Sequence, residues 1–398
     1  MKINKINKIG GFFSQIIKNN ISFIIILFIL LVMLKIYESS HILDEKFKLI
    51  KKKKPKPNYK VQEGFTLNNI QNKYQDQEFE DNLNKIRFGK PSLSKKLFKN
   101  NKYINNFNQI NVKARGFDEL EELKYEYQNN SLLSITDKEK EATKWLIKII
   151  LKKLSKVDDK ILTNFILNYL INHNTIIVKS KEFVEKGYPH THKNVIVLPK
   201  SWFYEIIVKH KLNLETSAFN DQGITLIHEL VHIHQRIKPD IYKKLYKKWG
   251  FEEPKYIHNI NEILKSSRHN PDGNDLKWIW KNYQNHYFMS AVYKNDDNQP
   301  DLTEVNYKIY KLNKLDNNIY QNIEPDTIYS NFNDKQNSYL ETNTDFQKYF
   351  GVSTNHYHPN ELAAQYMEFA FYDVINQTQT IRTDAFNIFK KFIKNDLN

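Results

Sequence analysis

The chain contains no cysteine in 398 residues. This absence rules out thiolate metal sites, cysteine nucleophiles and a disulfide framework, so any chemistry must run on His, Asp, Glu, Tyr or Ser. A basic excess is missing from the C-terminal two-thirds as well. Residues 1–115 hold 23 Lys+Arg against 8 Asp+Glu; subtracting these from the totals of 60 and 45 leaves 37 of each for residues 116–398. The net charge of +15 therefore belongs to the N-terminal part. A charge-balanced remainder has no overall electrostatic footprint for nucleic acid, and no nucleic-acid partner is expected. No internal repeat is found. With 40% hydrophobic residues, the chain has enough apolar side chain for a sizeable core.

Ile21 to Leu34 reads ISFIIILFILLVML, and the run extends through Lys35 to Tyr37. No small-residue cleavage site follows, and a core helix would show a polar face. A single-pass transmembrane anchor over residues 21–37 is therefore expected, after a basic segment 1–20, at the short end of the ~17–25 residues a spanning helix needs. The lysines from Lys46 to Lys56 outnumber those before the run, which by the positive-inside rule puts the C-terminal side in the cytosol. The same lysines suit anionic lipid headgroups. Residues 38–115 are rich in Lys and Asn, carry Pro55 and Pro57, and lack a sustained apolar period, which predicts a basic linker.

Residues 116–398 read as one α+β domain, mostly helical with a small mixed sheet, carrying a long insert at 238–355. Thr136 and Glu139 have capping-box spacing, and Ala142, Trp145, Leu146, Ile149 and Ile150 recur at helical intervals. Thr175 to Lys179 (TIIVK) and Asn194 to Leu198 (NVIVL) read as strands. In the insert, Arg268 to Asp275 (RHNPDGND) signals a turn, or else a loop presenting Arg268 and Asp272 to a cleft. Trp278, Trp280, Tyr283, Tyr287 and Phe288 have helix-compatible spacing and suit core packing.

Ile224 to Ile237 reads ITLIHELVHIHQRI. Four residues along a helix is one turn, so His228 and His232 point the same way and suit Zn²⁺ at ~2.0–2.1 Å. Glu229, the HExxH glutamate, reaches a metal-associated water as general base. The alternative is a structural helix with two ordinary histidines. His234, two residues on, faces away from the pair. Gln235 and Lys238 occupy the positions where a metzincin needs Gly and His, which excludes that class.

A third ligand is needed. In NHYHPNELAAQYM, Pro359 suits a first helical turn, and Glu361 precedes a small-and-apolar run fit for close packing. Glu361 either completes a His₂Glu set from this second helix or complements the positive end of its own helix. Glu262, Glu304, Glu368, His258 and His286 are weaker competitors. For an oxyanion stabiliser the candidates are His356, Tyr357, His358, His190 and His192, with His358 first.

HELVH followed by a separate helix bearing NELAA resembles the gluzincin class of zinc metallopeptidases. The resemblance covers the strand at 194–198 and the two helices. It implies zinc on His228, His232 and Glu361, Glu229 as base, and an edge strand along which an extended peptide pairs. Gln365 stands where gluzincins often have an Asp that orients the first histidine, so that support must come from elsewhere. The interval of 129 positions from His232 to Glu361 is also unusually long. The HPNE segment further resembles zincin-like proteins for which no substrate is implied. The expectation is a membrane-anchored zinc metallopeptidase acting on a peptide or protein substrate. The alternative is a catalytically inactive membrane-tethered scaffold.

Overall fold

The computed structural model describes residues 80–99, 101–272, 278–282, 285–294, 299–316, 318–322, 327–329, 344–351 and 358–397. The basic segment 1–20, the run 21–37, most of the 38–115 linker, His356, Tyr357 and Tyr283 lie outside them.

The first sheet is built around β3 (Ile176–Ser180) and β5 (Val195–Pro199), which run parallel. Short β1 (Arg87–Phe88) pairs parallel with β3, β2 (Leu132–Leu133) pairs antiparallel with β3, and β4 (His190–His192) forms the edge antiparallel to β5. Side chains alternate between faces along a strand. Both faces of β5 are covered: Ile196 and Leu198 enter the main core, while Val195 and Val197 join a second cluster with Phe98, Phe107 and Tyr127. A strand covered on both sides reads as the unbroken apolar run VIVLP.

The second cluster is supplied by residues expected to be linker. In residues 80–115, α1 (Leu93–Phe98) and two further helical turns bury Leu97, Phe98, Ile104, Phe107 and Val112 against the sheet together with α2 (Leu120–Asn130). They belong to the same compact unit as residues 116–398. The asparagines are caps, since Asn101 accepts from Tyr103 N at 3.0 Å and Asn108 from Asn111 N at 3.0 Å. Gly89, between β1 and α1, donates to Ile177 O at 2.8 Å, and a Cβ there would come within 2.5 Å of Val178 Cγ1.

The main core lies over the other face. It takes in α3 (Asp137–Lys156), whose start carries the expected Thr136/Glu139 capping box, α4 (Lys160–Ile166), α5 (Lys200–Lys211), α6 (Ile224–Ile237) and α7 (Pro239–Lys248). Glu139 also accepts from Lys179 Nζ at 2.8 Å, tying the start of α3 to β3.

The expected fold class requires correction. In place of one small sheet in a mostly helical domain, the described residues are mixed α/β with two sheets. The second has seven strands, β6 (Phe251–Glu252), β7 (Tyr256–Ile257), β8 (Ile279–Asn282), β9 (Asn285–Tyr293), β10 (Val305–Asp316), β11 (Ile319–Asn322) and β12 (Thr327–Tyr329). Its aromatic residues pair across a hairpin, Trp280 with Tyr287 and Ile279 with Phe288, where a helix was expected to carry them. The spacing of two between Trp278 and Trp280 suits a strand and the spacing of seven between Trp280 and Tyr287 suits a helix, and cross-strand pairing decides between them. The run 21–37, expected to span a membrane, lies outside the described residues; among the described residues no helix is long and apolar enough to cross a membrane.

After the second sheet, α8 (Pro359–Asn376) packs along α6, and α9 (Asp384–Asp396) closes the core with Phe386, Phe389 and Phe392. The buried Arg115 joins three parts of the chain. It donates to Glu185 Oε1 and Oε2 at 3.0 and 2.7 Å, to Asn111 O at 2.9 Å, and to His269 O at 3.1 Å. Glu185 and Lys186 have φ of 48° and 54°, a left-handed conformation that costs a non-glycine residue about 1–3 kcal/mol and persists only where surroundings enforce it.

Candidate metal centre

Helix α6 is amphipathic. Leu226, Ile227, Leu230 and Val231 are fully buried and seat it in the core, which fixes the direction of His228 and His232. Their rings lie 4.8 Å apart, centroid to centroid. Helix α8 reaches them because Ala363 and Ala364 are small enough for a close approach, and because Pro359 and a His358 cap start it at the required point. Glu361, in the first turn, directs Oε2 to 3.3 Å from His228 Nε2 and 3.6 Å from His232 Nε2. Among the described residues, His228, His232 and Glu361 form a group able to hold a metal ion, with ligand atoms all within 4.8 Å of one another.

Each imidazole is held by its other nitrogen. His228 Nδ1 lies 2.6 Å from Glu368 Oε1, so the carboxylate accepts and leaves a lone pair on Nε2. Gln235 Nε2 donates to Asn360 O at 2.8 Å, which leaves Gln235 Oε1 to accept from His232 Nδ1 at 2.9 Å. The lone pair of His232 then also sits on Nε2, a buried atom without a hydrogen-bond partner. Asn270 Nδ2 donates to the other Glu361 oxygen at 2.8 Å. Two nitrogen lone pairs and a carboxylate oxygen thus face one point in a buried setting, an arrangement that repels itself unless a positive charge lies between them. Tetrahedral coordination at about 2.0–2.1 Å sets its donors roughly 3.3–3.4 Å apart, close to the two separations observed. The residues therefore fit a divalent ion.

Protonation tells the same story. Burial opposes charge on His228, yet Glu361 and Glu368 override it and push the imidazolium up. His232 is likewise pushed up against burial, by Glu361 and Asp272. Glu361 is held well below the ordinary carboxylate range despite burial, by the two histidines. Glu229 behaves oppositely. Burial first, then the charge of Asp272, raises it to about 8, and its Oε2 is buried without a partner.

The predicted ligands come together, and Glu229 lies on the helix of the two histidines. His358 does not join the group. Its Nδ1 accepts from Asn360 N at 3.2 Å and caps α8, since the residue before the first helical turn is where a side-chain acceptor satisfies a free backbone amide. His190 and His192 point to the opposite face of β4 from Thr191, beside Val195 and Val197. His234 is fully buried and hydrogen-bonded to Tyr242 Oη at 2.9 Å, which settles it as a core residue. The 268–272 loop contributes Asn270 to the site, while Arg268 lies over the Tyr188 ring. The residues missed were Asn270, Gln235 and Glu368 as orienting partners. Glu368 had a signal, because it follows Glu361 by seven positions and two helical turns return it to the same face.

Strand β5, expected to be the edge along which a peptide pairs, lies between β3 and β4. The edge beside α6 is β4. Comparison with known proteins gives no match: no family model, curated protein or solved structure aligns with this chain.

Proposed function

We propose that this chain is a zinc-dependent hydrolase of peptide bonds, with the ion held by His228, His232 and Glu361 and with Glu229 as general base. One observation carries this reading: three lone-pair donors from two distant helices converge on one buried point beside a carboxyl group with one unpartnered oxygen. The order of HELVH and NELAA, similar to gluzincins, supports the choice of reaction. Bound there, zinc supplies a Lewis acid that polarises a carbonyl and brings the pKa of water toward ~7. Glu229, whose Oε2 is buried beside the paired histidines, would take a proton from the attacking water and return it to the departing nitrogen. Glu368 and Gln235 keep both imidazoles in the tautomer that the ligand set needs.

A second reading, a metal-holding binding protein without turnover, draws on Asn270, which already occupies one Glu361 oxygen. One experiment separates the two. The full chain is purified, its metal is quantified by mass spectrometry, and casein and a peptide library are offered to wild type and Glu229→Gln. The hydrolase reading expects bound zinc in both and a loss of about 10²–10⁴-fold in rate for Glu229→Gln. Zinc with no turnover on any peptide supports the binding protein, and equal cleavage by both proteins discards Glu229 as base.

A further inference from the structure

An extended peptide recognised by strand addition needs outward-facing backbone groups on an exposed edge. Strand β4 is the edge next to α6, and in an antiparallel strand the N–H and C=O of one residue point to the same side. Thr191 points both of its groups away from β5, and both are taken. Its N–H donates to Asp272 Oδ1 at 2.9 Å, and its carbonyl accepts from Arg236 Nη2 at 3.3 Å. The next outward position toward the N-terminus is Pro189, which has no N–H to offer.

The residues that seal this edge also touch the metal ligands. Asp272 binds Thr191, and Asn270, two residues earlier, binds Glu361 Oε1 at 2.8 Å, so one short segment runs from the edge strand to the ligand carboxylate. That segment is fastened from several sides. Arg236, on α6, donates to Pro271 O at 3.1 Å and to Asp272 Oδ1 at 3.3 Å, Asn360 Nδ2 donates to Asp272 O at 3.3 Å, and Arg115 holds His269 O. Lifting it away would leave the buried Asn360 amide without its acceptor and break three hydrogen bonds donated by two arginines, so it behaves as a wall.

We infer that the site does not read its substrate by β-strand addition, and that it acts on short or chain-terminal amides, dipeptides among them, rather than on internal bonds of an extended polypeptide. This rests on the hydrolase reading above. The substrate is held by side chains around the scissile group, and affinity stops growing once that group and its immediate neighbours are bound.

The test uses the full chain carrying Glu229→Gln, loaded with zinc, and calorimetric binding of peptides of two to eight residues, each with free and with acetyl- and amide-capped termini. The expected result is binding of the shortest peptides with affinity changing less than about threefold over the series, since no ladder of main-chain bonds is added. Asp272→Ala in the same background, which frees the Thr191 amide, is expected to introduce a length dependence. An affinity that rises tenfold or more between four and eight residues, and that collapses when alternate peptide nitrogens are methylated, overturns the inference and leaves the hydrolase reading standing. Binding at no length overturns both.

Discussion

Glu361 and Glu368 flank a single imidazole: the first approaches His228 Nε2 at 3.3 Å, and the second lies 2.6 Å from Nδ1. Both belong to α8, seven positions apart, so one rigid element sets the donor geometry and the tautomer together.

Removing the orienting carboxylate therefore weakens the metal without deleting a ligand. Glu368→Gln is expected to lower zinc affinity by about 10–100-fold, measured by competition with a chromophoric chelator. Gln235→Ala is expected to act in the same direction through His232. An unchanged affinity in both variants would mean that these contacts do not support the ligands.

His232 and His234 are two residues apart and both buried, yet only one faces Glu361. His232→Asn is expected to abolish stoichiometric zinc, while His234→Asn keeps it and loses stability through the Tyr242 hydrogen bond and its packing. Metal content and urea midpoints of the two variants check this directly.

Arg115 and Glu185 form a buried pair with two hydrogen bonds, and the same guanidinium holds His269 O beside the site. Removing one partner leaves an uncompensated buried charge. Glu185→Ala is expected to cost about 3–5 kcal/mol in urea unfolding, whereas Arg115→Met with Glu185→Leu should cost less than either single loss.

Acid should destabilise the chain in two stages. Burial first, then His190 and Arg236, hold His192 well below the ordinary imidazole range, so its contribution is present above about pH 6.5 and is lost as the unfolded chain takes up protons below it. Burial alone would raise Glu185, but Arg115 and His190 bring it below the usual carboxylate range; its contribution is present above about pH 4.3 and is lost as pH falls through the folded value. Each group has a slope of up to about 1.4 kcal/mol per pH unit. Unfolding free energies from pH 8 to 3 should flatten in the upper stage for His192→Phe and in the lower stage for Glu185→Gln.

Gly89→Ala puts a methyl group against Val178 Cγ1 at the crossing of β1 and β3. The expected cost is about 1–3 kcal/mol, read from thermal or urea unfolding, with zinc stoichiometry unchanged.

How much of this was legible in the sequence follows from where each signal lay. The Thr136/Glu139 box, the HExxH helix and the small residues after Glu361 depend on neighbours a few positions apart, and all three are found as read. The described residues before 116 were hidden by composition, because Asn101 and Asn108 look like linker asparagines until their side chains are seen capping short helices. The hairpin of β8 and β9 was hidden because its aromatic spacings mix a strand period with a helical one. Asn270 reaches Glu361 across 91 positions, and no local pattern announces such a contact.

The second sheet lies in the chain between the two halves of the ligand set, so a nascent polypeptide carries both histidines well before the carboxylate that completes them. Zinc offered during synthesis meets an incomplete set until the last strand and the start of α8 have left the ribosome. On the zinc reading proposed above, capture of the ion would be a late event in the life of the molecule, and a metal-loaded chain would be one whose C-terminal third has been made and has found its place.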